Sequence, residues 1–551
     1  MSHSLPSFPR AIPLLLALAA CGVTPTAVDG EPTAAQLGGA HLPVTCASDR
    51  AQRWFDRGLG WCYAFHHDEA TRCFRRALEH DPDCAMAWWG IAYAAGPNIN
   101  NMEMDDAAAE RAHEAAERAA AGSARCTQME RALIAAVGRR YRWPAPDDRA
   151  QLDRDYADAM TTVYERHGRN GDVAVLYAES LMNLRPWDLW TADGEPQPGT
   201  DVVLSVLERT LREHPDHPQA NHLYIHAVEA SPQPECALPC AERLIDLAPA
   251  AGHLTHMPSH VFVRVGRYED AAAANRRAIA ADQRILARTG RVGFYELYRA
   301  HNYHFLVYAA MFAGRADEAI AAADEMVQEL PADVVRELPE FLEGFLAVPF
   351  HALVRFGRWQ EILARPAPPE WQLSTRAVRH YARGIALAAL GRVVEARDEQ
   401  RAFTELAAQV PESWTIGNNP TRTVLAIGAA FLDGEITFRD GDREAAFASL
   451  RLAVERADAL RYDEPWGWMM PPRHALGALL LEHGRVAEAR AVYEQDLRHN
   501  PDNGWALRGL VECAERAGGD TRAAALRTRF AAAWANASVE IGASCYCRQQ
   551  P

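Results

Sequence analysis

One short phrase recurs along this chain: Gly266-Arg-Tyr-Glu-Asp-Ala271, Gly314-Arg-Ala-Asp-Glu-Ala319, Gly391-Arg-Val-Val-Glu-Ala396 and Gly484-Arg-Val-Ala-Glu-Ala489. A Gly that ends one helix at positive φ, followed by a small Ala inside the next, lets two helices reverse and pack closely. Weaker copies carry Gly357-Arg-Trp and Gly441-Asp-Arg, and Pro82, Pro249, Pro331 and Pro501 stand where second helices must stop. Strand signals are nearly absent, so the expected fold is all-α.

Placed in a unit of 34 residues, Trp54, Gly58, Trp61, Ala70, Phe74, Ala77 and Pro82 take positions 4, 8, 11, 20, 24, 27 and 32. This pattern resembles the tetratricopeptide repeat (TPR), two antiparallel helices joined by a tight turn. The resemblance implies a TPR-type superhelical solenoid of about nine or ten helix-turn-helix repeats over residues 47–535. Longer connectors are expected near 141–150, 185–201 and 366–372. Proteins of this kind share no reaction and mostly serve as docking surfaces, so function must come from particular residues.

Composition removes several chemistries. All 57 basic residues are Arg, so neither a Schiff-base lysine nor a P-loop lysine exists. A net charge of −16 leaves no basic surplus for phosphates, which argues against a nucleic-acid partner. With 49% hydrophobic and 24% charged residues, the chain has the balance of an ordinary globular protein.

The N-terminus reads as an address. Ile12 to Ala20 is apolar but too short to span a bilayer permanently, and Leu18-Ala19-Ala20-Cys21-Gly22 resembles a bacterial lipobox. The resemblance implies a signal peptide over 1–20, lipidation of Cys21 and a flexible tether over 21–46. It places the protein in the bacterial cell envelope, periplasm-facing or on the surface, touching the membrane only through its lipid anchor. An ordinary secretory signal cleaved nearby is the alternative. Beyond Cys21 the ten cysteines permit disulfides in an oxidising compartment. Cys73 and Cys84 flank a helix–helix turn, Cys236 and Cys240 lie one helical turn apart, and Cys545 and Cys547 belong to a C-terminal tail over 536–551. The last two pairs lack the two-residue gap of a zinc or thioredoxin-like motif and read as structural.

The histidines carry the functional signal. His222 and His226, and His256 and His260, are i, i+4 pairs whose imidazoles share a helix face. The pairs are one repeat apart (256 − 222 = 34). Numbered from their own turns, both fall at positions 5 and 9 of a first helix, which in TPR proteins line the concave groove with positions 2, 12 and 13. By the same numbering His253 is a position 2, and His301 and His304 are positions 2 and 5 of the next unit. His351 and His474 take groove positions further on, Glu229 a position 12 and Arg264 a position 13. His222, His226, His256, His260, His301 and His304 are the expected metal ligands. A set rich in imidazole suits copper or zinc and not magnesium or calcium. Three His pairs on helices resemble, in ligand composition only, the coupled dicopper (type 3) proteins, whose fold is different. Pro258 sits awkwardly: a helix starting near Thr255 tolerates it and leaves the direction of His253 open, whereas a helix starting earlier would be broken.

Other candidates are Glu229 as general base of a hydrolytic zinc site, and Arg264 and Arg473 as carboxylate clamps. Glu179 aligns loosely with position 9, Tyr224 and Tyr308 read as packing, and His66 and His67 fall in a turn. The run Trp466 to His474 is odd enough to close one end of the groove. The leading expectation is an envelope TPR lipoprotein with a copper or zinc centre on its concave face. With copper it would be an oxidoreductase using dioxygen, and with zinc a hydrolase. A small molecule or peptide would occupy the groove. The alternatives are a non-enzymatic adaptor for a peptide or an envelope protein complex, and a metal chaperone or store. Converging imidazoles beside a bounded pocket would favour an enzyme, and splayed ones in an open groove an adaptor.

Overall fold

The computed structural model describes residues 30–290 and 293–548. The expected signal peptide, the lipobox and Cys21 lie outside the described residues. Among the described residues no helix is long and apolar enough to cross a membrane.

Helices run from Asp49–Tyr63 to Asp520–Ala533, and most pack against a neighbour in sequence. Pairs such as Asp49–Tyr63 with His67–His80, Tyr268–Thr289 with Tyr295–Phe312, and Leu373–Ala389 with Val393–Ala407 make the chain an all-α protein of paired helices. The recurring phrase does what its chemistry requires. Gly266, Gly314, Gly391 and Gly484 adopt φ of 80°, 71°, 76° and 81°, and Ala271, Ala319, Ala396 and Ala489 are fully buried. A Cβ on Gly314 would lie 2.4 Å from the Trp534 ring, so here glycine also permits a contact far along the chain. Two short strands, Thr415–Ile416 and Asn419–Pro420, pair within one connector.

The stack bends until distant parts touch. The Trp505 indole donates to the Met311 carbonyl at 2.9 Å, and the Tyr268 hydroxyl donates to the Pro501 carbonyl at 3.1 Å. Near the other end, Arg288 bridges Glu31 at 2.9 Å and Glu69 at 2.7 Å. The inner face is therefore bounded by the chain's own later elements and connectors, where a plain solenoid would leave an open groove.

The tether expectation fails over its described part. Ala34–Leu37 is a 3₁₀ turn capped by Thr33, Leu37 and Leu42 are fully buried, and the Gln36 carbonyl accepts from Ala250 N at 3.0 Å. Composition hid this, because two leucines among many small residues are enough to anchor a segment. The C-terminal tail is also packed. Ser544 Oγ donates to the His474 carbonyl at 2.7 Å, and Cys545 and Cys547 form a disulfide. The other described cysteines are free thiols, including Cys73, Cys84, Cys236 and Cys240.

Candidate metal centre

Three helical segments, separated in sequence by Leu238–Leu247 and Tyr268–Thr289, carry the histidines. Pro218–Val228 starts with Pro at a position whose N–H is not needed, and His217 caps it by accepting from Ala220 N. The next segment begins at Gly252, earlier than Thr255, and runs as Gly252–His256 and Pro258–Arg264. Met257 between them stays right-handed helical (φ −49°, ψ −35°), so Pro258 interrupts the helix without ending its course. Gly252 is obligatory there, because a Cβ would lie 1.9 Å from Asp282 Oδ1. Tyr295–Phe312 supplies His301 and His304.

The side chains converge as two sets of three. His222, His226 and His253 form one and His256, His260 and His301 the other, with one ligand nitrogen from each residue of a set within 4.8 Å of the others. His222 Nε2 lies 3.1 Å from His253 Nε2, and His256 Nε2 lies 2.7 Å from His260 Nε2. The sets adjoin, the His226 and His260 rings being 5.8 Å apart between centroids. His304 belongs to neither. Three residues beyond His301, it sits about 4.5 Å further along the helix and packs edge-on against Phe345 at 5.1 Å. His253 takes the place the sequence offered to His304.

Hydrogen bonds fix which nitrogens face inward. His222 Nδ1 donates to the Tyr63 carbonyl at 2.9 Å, and His226 Nδ1 to Glu229 Oε1 at 2.9 Å. His256 Nδ1 donates to Asn275 Oδ1 at 2.7 Å, and the amide orientation is set by Asn275 Nδ2 donating to the Ala271 carbonyl. His260 Nδ1 lies 2.7 Å from Glu229 Oε2 and 3.0 Å from Glu464 Oε2. Four Nε2 atoms are left facing the interior, the arrangement that outer partners give to metal-ligating imidazoles. His226 Nε2 is buried with no hydrogen-bond partner in the protein.

Electrostatics reinforce this. Burial, then neighbouring imidazoles, push His222, His253, His256 and His301 well below the usual histidine range, which keeps them neutral lone-pair donors. His260 goes the other way: burial opposes its charge, but Glu229 and Glu464 outweigh it. As imidazolium it donates Nε2–H to His256 Nε2, and a metal ion would take that proton's place. Glu229, buried between His226 and His260, is held below the usual carboxylate range by those imidazoles against the effect of burial. Burial pushes Glu464 up to about 7 against the pull of His260. Each set also has one phenylalanine leaning on its three rings. Phe65, at φ 55°, lies 4.6–6.3 Å from His222, His253 and His226. Phe305 lies 4.9–5.7 Å from His256, His260 and His301.

A cavity of about 860 Å³ opens onto both sets through His226, His253, His260 and His301. Its walls come from connectors as well as helices: Trp187 from residues 183–199, Ile416 from the short strands, and Glu464 and Trp468 from residues 459–471.

Several expected roles do not survive. Glu229 is enclosed between two imidazoles, so it orients ligands and is not an open general base. Arg264 donates to the carbonyls of Glu229 and Ser231 and covers Tyr462, which makes it a backbone tie and not a clamp in the cavity. Arg473 pairs with Asp458 at 2.7 Å, and His474 with buried Asp496 at 2.8 Å. Glu179 accepts from Tyr93 and Gln219, and Tyr224 donates to Glu208 at 3.2 Å, whereas Tyr308 packs on Phe312 as expected. His66, in the turn before His67–His80, is fully buried and stacks on Tyr295 at 3.8 Å. His351 lies edge-on to Trp468 at 4.8 Å and lines the cavity. Sequence reasoning missed Glu464, Asn275 and Phe65. Glu464 stands two residues before the unusual Trp466 run, the one local signal that pointed towards it.

No protein-family model and no curated protein sequence matches the chain. Among solved structures, a human IFIT1 dimer with m7Gppp-AAAA is 11% identical, covering 83% of this chain and 90% of that one at a TM-score of 0.35. The APC/C hetero-tetramer Cut9-Hcn1 is 12% identical, covering 88% of this chain and 74% of that one at a TM-score of 0.30. Likeness at this level carries nothing about what the chain binds or does. What stands is an all-α protein of paired helices with buried histidine groups able to hold metal ions.

Proposed function

We propose that the two histidine sets hold a pair of copper ions, and that the protein is a copper oxidoreductase using dioxygen on an organic molecule in the adjoining cavity. The observation that carries this is the juxtaposition of two sets of three imidazoles opening on one cavity. Copper binds nitrogen sites more tightly than zinc, and neutral imidazoles suit an ion that cycles between charges of one and two. Glu229 and Glu464 approach His260 on its Nδ1 side, where they compensate charge, and with His260 they make a third group able to hold an ion. The reaction class that balances without a separate reductant is oxidation: two substrate molecules each give two electrons and two protons, and one dioxygen leaves as two waters. A store needs no cavity, and an adaptor needs no converging imidazoles. The lipobox-like Leu18 to Gly22 supports an envelope location with Cys21 as the lipid anchor.

Zinc hydrolysis is the second reading, favoured by Glu464, whose Oε1 is buried without a hydrogen-bond partner beside the second set. Loading the protein with Cu(I) without oxygen and then admitting air separates the two. Two Cu(I) and two protons reduce one dioxygen to hydrogen peroxide, so uptake of about one dioxygen per chain is expected. No uptake, with zinc retained in preference to copper, would move the assignment to a hydrolase.

A further inference from the structure

The charge and surface of the cavity restrict what can enter it. Trp187, Phe341, Phe345 and Trp468 stand among its walls, so most of a guest's contact would be with aromatic and aliphatic carbon. Its described lining includes four carboxylates, Glu103, Asp105, Asp463 and Glu464, and no Arg, although the chain carries 57 arginines. Glu103 and Asp105 are exposed, where they bias approach towards cations, and Glu464 is buried beside His260. Glu464 Oε1 and Trp468 Nε1 are both buried without a hydrogen-bond partner in the protein, an acceptor and a donor left over for a guest.

We propose that the cavity receives an aromatic amine, its ring among the aromatic walls and its ammonium or amino group drawn to the carboxylates, and that it rejects aromatic carboxylates of the same shape. A carboxylate would meet Glu103 and Asp105 at the mouth and Asp463 and Glu464 in the wall with no Arg to pair with, a juxtaposition that disfavours it against the amine. Aromatic faces also attract cations. The fate of the guest rests on the oxidase reading, but its binding does not.

The test uses the full-length protein stripped of metal, titrated by calorimetry with naphthylethylamine, naphthylethanol and naphthylacetate. The expected order is amine, then alcohol, then carboxylate, with about tenfold or more between first and last. Glu103→Gln with Asp105→Asn should shrink that ratio, and Asn preserves the helix cap at 105. Phe341→Ala, at a side chain 47% exposed and thus tolerant of change, should weaken all three. Equal binding, preference for the carboxylate, or no binding by any probe would overturn the inference. Binding with this order in a protein that later fails to take copper would leave the inference standing and remove the oxidase reading, and the reverse pattern would do the opposite.

Discussion

The carboxylate of Glu229 lies 2.7 Å from His260 Nδ1, and its other oxygen accepts from His226 Nδ1 at 2.9 Å. One buried side chain thus holds a ligand of each three-histidine set and couples the orientation of both. It sits one residue past the helix Pro218–Val228, and its backbone carbonyl is tied down by Arg264.

Glu229→Gln should keep the fold and lose metal. An amide cannot accept from both imidazoles through two oxygens, so one tautomer is released. Loss of such an outer partner costs about 10–100-fold in metal affinity. Chelator competition should show that loss, with the helical circular dichroism signal unchanged.

Asp282 predicts a pH dependence of stability. It accepts from Tyr295 at 2.9 Å and Asn302 at 2.7 Å, yet burial pushes its carboxyl up to about 7 from an ordinary 3.8. A pKa raised on folding adds stability that is full below the unfolded value and lost as pH rises through the folded one. Three units at ~1.36 kcal/mol each give a ceiling of about 4 kcal/mol. The thermal midpoint of the metal-free protein should fall between pH 5 and pH 8, and Asp282→Asn should flatten that fall.

Closure of the stack can be tested at Trp505, whose indole reaches Met311 in sequence far behind it. Trp505→Phe removes the donor and leaves a buried carbonyl unsatisfied, at a cost of about 1–3 kcal/mol. A lowered thermal midpoint should follow, and an unchanged one would mean that these distant segments are not held together there.

The repeat was legible because a helix reversal demands Gly and a close approach demands Ala, and the two recur together at the same offset within each phrase. Five of the six expected ligands meet in the two sets because i, i+4 spacing and a 34-residue offset are geometric facts about stacked helices. His253 was obscured by Pro258, whose usual effect is to end a helix, whereas here Met257 keeps its course. His304 shares a face with His301 but not a height. Glu464 and Phe65 come from connectors 204 (464 − 260) and 157 (222 − 65) residues away from the histidines they touch, and no local pattern encodes such a meeting. The cavity was hidden for the same reason, since repeat spacing describes neighbours and not distant segments.

The most direct test of the account is copper stoichiometry after anaerobic Cu(I) loading and air oxidation, read by mass spectrometry and electron paramagnetic resonance together. Two copper ions per chain with little resonance signal, as spin-coupled neighbours give, is the predicted result for the intact protein. A His222→Ala, His253→Ala variant that keeps its helicity should retain one copper and show the signal of an isolated Cu(II) ion, and so should a His256→Ala, His301→Ala variant. Copper absent from the intact protein, or bound equally by both variants and the parent, would contradict the paired centre.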